Sequence, residues 1–145
     1  MNFYRVIILL LTSACLTLSE ITSATASILD SGALRVDFVE IGIDPFPQTV
    51  SFNLTAKGTV TFGCANKQGK FFKSPTEAQV LNVFTTNSIY AVSDTITAFV
   101  VSQDPTTSLS CRYPLTVEFL RGEYFTILLC SYTGCRTVEG VVSVQ

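Results

Sequence analysis

Few residues in this chain can do chemistry. Its 145 residues contain no histidine. That removes Ser–His and Cys–His nucleophile pairs, histidine general bases and histidine metal ligands. The carboxylates that remain could serve as a glycosidase-like acid/base pair. Asp37 and Glu40, however, fall on opposite faces of a strand by parity, and Asp44, Glu77, Asp94, Asp104, Glu118, Glu123 and Glu139 are scattered with no spacing that unites two of them. They read as solvated surface charge. Asp44, Asp94 and Asp104 each neighbour a turn, but none sits in a calcium-loop pattern. There is no phosphate-binding glycine loop and no nucleophile elbow. The expectation is a protein without catalytic residues, metal or cofactor, which is not an enzyme. A carboxylate-dependent extracellular hydrolase or lyase is the alternative.

The other reactive residues are cysteines, and their position is informative. Arg5 precedes the apolar run Val6-Ile7-Ile8-Leu9-Leu10-Leu11, which continues with small residues to about Leu18. A positive start and roughly a dozen apolar residues make an export signal, short of the ~20 needed to span a bilayer. Ala24-Thr25-Ala26 supplies a small-x-small cleavage pattern. The reading is a signal peptide over residues 1–26 and a single secreted domain over 27–145. A lipobox ending at Cys15 is the rival; it would leave the protein lipid-anchored at the cell envelope, but Thr12 is a poor fit where leucine is usual.

Cleavage at Ala26 discards Cys15 and leaves Cys64, Cys111, Cys130 and Cys135, an even number in a short exported domain, which implies two disulfides. Of the three connectivities, Cys64–Cys111 with Cys130–Cys135 is favoured. The second bond closes a small loop in which Gly134 can supply the turn, and the first staples two strand ends. A four-thiolate zinc site would use close pairs of ligands, and Cys64 and Cys111 are isolated. Without Arg5 and Glu20, 8 basic and 10 acidic residues remain of the chain's 9 and 11, a net charge still of −2. No basic face points to nucleic acid.

The elements that must position these residues are strands. Val50, Phe52, Leu54, Ala56, Gly58, Val60, Phe62 and Cys64 share one parity, while polar residues and Gly63 hold the other. That is one half-buried strand over 49–64, or two joined by a bulge near Gly58. Leu34 to Ile43 is a second strand, stopped by Pro45 and Pro47. Val80 to Phe84 is short. Ile89 to Val101, apolar on both faces from Ile96, reads as a central strand. Leu115 to Phe119 and Tyr124 to Tyr132 read as a hairpin turning at Arg121-Gly122-Glu123, and Val138 to Val144 as a final strand. Six to eight strands without a helical pattern predict an all-β fold, a two-sheet antiparallel β-sandwich (immunoglobulin-like) stapled by disulfides. A partly open β-barrel is the alternative.

Thr61-Phe62-Gly63-Cys64-Ala65-Asn66-Lys67-Gln68-Gly69-Lys70 and the later Leu109-Ser110-Cys111 resemble a loose family of small secreted, mostly bacterial β-sandwich proteins without an assigned activity. The likeness covers about residues 35–132. It implies the sandwich fold and the Cys64–Cys111 pairing, and no function. Arg112 stands where that family would have proline, and Cys130 with Cys135 looks like an addition.

For function, the reading is a secreted scaffold that binds an extracellular or cell-surface ligand: a glycan, an envelope component or a protein. The candidate contact residues are Lys67, Lys70, Phe71, Phe72 and Lys73, on an expected long loop from Asn66 to Thr76, because cations interleaved with aromatics suit such ligands. Asn53-Leu54-Thr55 is a glycosylation sequon in a eukaryotic host. Arg121-Gly122-Glu123 differs from the adhesive Arg-Gly-Asp tripeptide by a methylene and reads as turn chemistry. A structural subunit that pairs through an edge strand, with 138–144 as that edge, is a further alternative.

Overall fold

The computed structural model describes residues 18–145; Cys15 and most of the expected export signal lie outside them. The described chain is all strand: β1 (Glu20–Ile28), β2 (Leu34–Ile41), β3 (Gln48–Ala65), β4 (Phe71–Ala91), β5 (Thr95–Val101), β6 (Thr116–Ser131), β7 (Gly134–Val138) and β8 (Val141–Val144). One antiparallel sheet runs β1-β2-β5 and the other β4-β3-β6-β7, with β8 also paired to β6. The two sheets pack face to face as a sandwich, and there is no closed barrel. Among the described residues no helix is long and apolar enough to cross a membrane.

Period-two alternation drives the assembly. The inward parity of β3 meets that of β2, and the Phe38 and Phe52 rings meet across the sheets, tilted at 47° with centroids 4.5 Å apart. Phe62 and Phe119 meet edge to face. Around them Leu34, Val36, Leu54, Val60, Ile127 and Leu129 are fully buried. Each such side chain contributes about 1.5–3 kcal/mol of hydrophobic stabilisation, which makes this apolar layer the main favourable term in the fold.

β3 is one strand, and Gly58 serves packing within it. The Tyr124 ring lies where a side chain at residue 58 would go: a Cβ there would collide with Tyr124 Cδ1. Tyr124 in turn donates its hydroxyl to the Gly32 carbonyl at 2.8 Å, so its one polar atom is satisfied in the core. Burial pushes the Tyr124 phenol up to about 12.

The structure corrects several expected elements. Arg121-Gly122-Glu123 is not a turn. β6 runs unbroken from 116 to 131, and Gly122 is buried where a Cβ would press at 3.0 Å on the Phe119 ring. β6 stays inward-facing by carrying two extra residues against β3, at Leu120 and around Thr126, whose φ is +51°. The expected central strand 89–101 is two elements, the end of β4 and then β5, and β5 is an edge. The short 80–84 strand is part of the 21-residue β4. The C-terminal strand breaks at Glu139-Gly140 into β7 and β8. Both pack beside β1, so β4 is the longest edge of the larger sheet.

The sandwich also begins before the expected boundary between 26 and 27. β1 starts at Glu20 and pairs with β2 along its length. A bulge between Ile21 and Ser23 puts Ile21, Ala24, Ala26 and Ile28 against the core. Ala24 and Ala26 also have the small side chains of a cleavage pattern, which is why the sequence reading placed them at the end of an export signal.

Candidate functional site

Each candidate contact residue is placed by the β3–β4 connection. That connection is a tight turn, and Phe71, Phe72 and Lys73 already belong to β4. The Asn66 side chain builds the turn: its Oδ1 accepts the amides of Gln68 (3.0 Å) and Lys70 (2.9 Å). The Asn66 amide bonds the Lys70 carbonyl at 3.0 Å. Gly69 adopts φ +76°, a conformation that favours glycine. Lys67, Lys70 and Lys73 are exposed on this rigid end. Phe71 is half-buried against Gly63, and Phe72 is 41% exposed. Of the two aromatics, then, one anchors the turn and the other is available to a ligand.

The Cys64–Cys111 disulfide enlarges this end of the molecule. It joins the last turn of β3 to the β5–β6 connection, with the Cα atoms 5.7 Å apart. Arg112 and Tyr113 follow in a turn closed by the Leu115 amide on the Arg112 carbonyl. Both are exposed, Tyr113 to 93%. Thr116 then pairs with Ala65 on one side while Phe71 pairs with it on the other. One end of the sandwich therefore carries Lys67, Lys70, Lys73 and Arg112 together with Phe72 and Tyr113. Sequence reasoning missed Arg112 and Tyr113. The signal that could have found them is their adjacency to Cys111, since a bond to Cys64 must bring them to the β3–β4 turn.

The carboxylates of this end are occupied. Glu77 accepts from the Ser108 hydroxyl at 2.8 Å, and its hydrogen bonds to Ser108 and Gln79 hold it below the usual carboxylate range. Glu118 accepts from Thr116 at 3.1 Å. Among the described residues the one ion pair is Arg35–Asp37, on β2, which leaves the four end cations without a carboxylate inside salt-bridge distance. Arg35 also lies over the Phe99 ring at 4.0 Å.

The other candidate features lie elsewhere. Cys130 and Cys135 are bonded directly across the β6–β7 hairpin, where they are register partners. Asn53 is exposed on β3, and its Oδ1 accepts from the Thr86 hydroxyl at 2.8 Å. Parity placed Asp37 and Glu40 on opposite faces, and so they are: Asp37 lies outside with Arg35, and Glu40 is fully buried. Among the described residues Glu40 is the only buried carboxylate, and no group of three or more metal-ligating side chains comes together.

Compared with known proteins, the chain matches no family model, and no curated protein or solved structure is significantly similar to it.

Proposed function

We propose that the protein is an exported binding module whose cationic and aromatic end takes an acidic extracellular glycan. The observation that carries this reading is that Lys67 and Lys70 of the β3–β4 turn, Phe72 and Lys73 at the start of β4, and Arg112 and Tyr113 beside Cys111 are all exposed at the end of the sandwich fastened by Cys64–Cys111. Cations free of carboxylate partners supply charge to sulfate or uronate groups, and exposed rings stack on sugar faces. Holding both turns on a disulfide lowers the ordering cost of binding. Two disulfides in a domain of this size favour an oxidising, extracytoplasmic compartment. Binding is favoured over catalysis because, among the described residues, no second buried carboxylate joins Glu40 for acid/base hydrolysis.

The test is retention on an immobilised sulfated or uronate polysaccharide against a neutral one, over a salt gradient. The folded protein should be retained on the acidic matrix and elute as salt screens the contact. Changing Lys67, Lys70, Lys73 and Arg112 to Ala should abolish retention, and Phe72→Ala with Tyr113→Ala should weaken it. Equal retention of the four-cation variant, or none of the wild type at low salt, would sink the assignment.

A further inference from the structure

A second feature lies at the start of β1, about the buried Glu40. Its Oε1 is approached by three hydroxyls: Ser19 at 2.8 Å, Ser131 at 2.8 Å and Thr133 at 2.9 Å. Ser131 and Thr133 also stand 2.8 Å from each other. Each hydroxyl has one hydrogen to give, so three hydrogens must serve four contacts, and Oε2 is buried with no partner at all. The cluster is short of donors and short of positive charge. A buried carboxylate is costly unless it is paired and fully hydrogen-bonded. The charged groups nearest in the chain and the fold do not pair with it. Arg136 of β7 donates its Nη1 to the Ile21 carbonyl at 2.9 Å, and Glu20 is itself acidic and exposed.

Ser19 and Thr133 of this cluster also line an open cleft of about 620 Å³, together with Leu18, Glu20 and Arg136. The chain enters the fold here. Ser19 and Thr17 are small residues spaced as the −1 and −3 positions of an export cleavage site, and cutting after Ser19 leaves β1 whole from its first residue. Cutting after Ala26 would instead remove seven residues of a strand paired with β2 along its length.

We propose that the exported chain is cut between Ser19 and Glu20 and that the new Glu20 α-ammonium is the counter-charge of Glu40, locking the N-terminus into the sandwich. This rests on the export reading. An endopeptidase of the export machinery adds water across the Ser19–Glu20 peptide bond; the carboxylate leaves with the leader and the amine stays on Glu20, protonated at neutral pH. The cut also takes away the Ser19 hydroxyl that reaches Oε1; the amine, one residue further on, replaces that single hydrogen with three N–H donors and a positive charge. Processing would thereby couple export to stability: the leader-bearing chain keeps Glu40 unpaired, and the cut chain pairs it.

The experiment is intact mass and N-terminal sequencing of the exported protein, followed by competitive acylation of its α-amine at neutral pH. A start at Glu20 is expected, with the folded wild-type amine acylated about tenfold more slowly than that of Glu40→Gln, because pairing with the carboxylate holds the proton on the amine. If Glu40→Gln does not fold, a chain with one added Gly ahead of Glu20 keeps the carboxylate, displaces the amine and should show the same faster acylation. A start at Ser27 or at an acylated Cys15 overturns this proposal and leaves export standing. An uncut chain overturns both. A Glu20 start with equal acylation rates in wild type and variants shows that Glu40 does not hold the amine, and overturns the pairing.

Discussion

The two disulfides enclose loops of very different size, so their removal should cost very different amounts. Cys64 and Cys111 are 47 residues apart in sequence, and Cys130 and Cys135 are 5 apart. In the chain-entropy description the loss is a constant plus a term in the logarithm of loop length, which gives about 4 kcal/mol for the first bond and about 2 kcal/mol for the second. Cys64 is fully buried, so truncating it to Ala also leaves a small void and raises the first figure further. Cys111→Ala with Cys64→Ala should therefore lower the thermal midpoint by roughly 15 °C, and Cys130→Ala with Cys135→Ala by roughly half that, at about 4 °C per kcal/mol for a domain of this length. Differential scanning calorimetry of the two double variants and the wild type, at one pH and without reductant, measures both. The long bond also tethers Arg112 and Tyr113 to the β3–β4 turn, so its removal should weaken retention on an acidic polysaccharide at temperatures where the variant is still folded. Equal losses for the two pairs, or a larger loss for Cys130–Cys135, would refute the loop-length reasoning and place the stabilisation in local hairpin geometry.

Two further outcomes follow from the Gly58–Tyr124 contact. Gly58→Ala should cost about 1–3 kcal/mol by overpacking, and less in a Tyr124→Ala background, where the ring is gone and the Glu123 carbonyl, 2.9 Å from the added Cβ, is the contact that remains; a double-mutant cycle by urea unfolding reads the coupling. The raised Tyr124 phenol has a definite sign: the folded state holds this proton more tightly than the unfolded state, so the associated stability is complete below about pH 10 and is lost as pH rises toward about 12. Two units correspond to roughly 3 kcal/mol. Tyr124→Phe should flatten that part of the alkaline limb, at a cost at neutral pH of about 1–2 kcal/mol for the Gly32 carbonyl it strands. An unchanged alkaline limb in Tyr124→Phe would show that other groups govern it.

Much of the fold was legible because a half-buried strand writes its period on the sequence. Residues 49–64 carry that alternation without interruption, and β3 occupies 48–65. The strand read over Leu34 to Ile43 was equally plain, and β2 occupies 34–41. Legibility failed where something other than period decided. Gly122 has the chemistry of a turn, but its missing side chain makes room for the Phe119 ring of the same strand. β6 hides its alternation because two bulges shift its parity twice. β4 faces solvent along much of one side, Val80 and Phe84 included, so its polar and apolar residues do not sort into a core face. In β1 the small residues that pack closely against β2 and the core are of the same kind that a signal peptidase accepts.

The sequence by itself determined the class of the molecule. Parity made it a two-sheet β-sandwich, the absence of histidine narrowed its chemistry to carboxylates and thiols, and the short Cys130–Cys135 spacing fitted a bond across one hairpin. Only the tertiary structure decided which distant residues share a surface. Lys67 and Arg112 are separated by all of β4, all of β5 and a long connection, and they reach one end of the sandwich because strand pairing and the Cys64–Cys111 bond put them there. Likewise Glu40, Ser19, Ser131 and Thr133 come from three regions of the chain and meet only because β1 and the β6–β7 hairpin close over β2. Local sequence sets the direction of each side chain along its own strand; which strands lie side by side is fixed by the shared burial of their apolar faces, and that is a property of the whole chain.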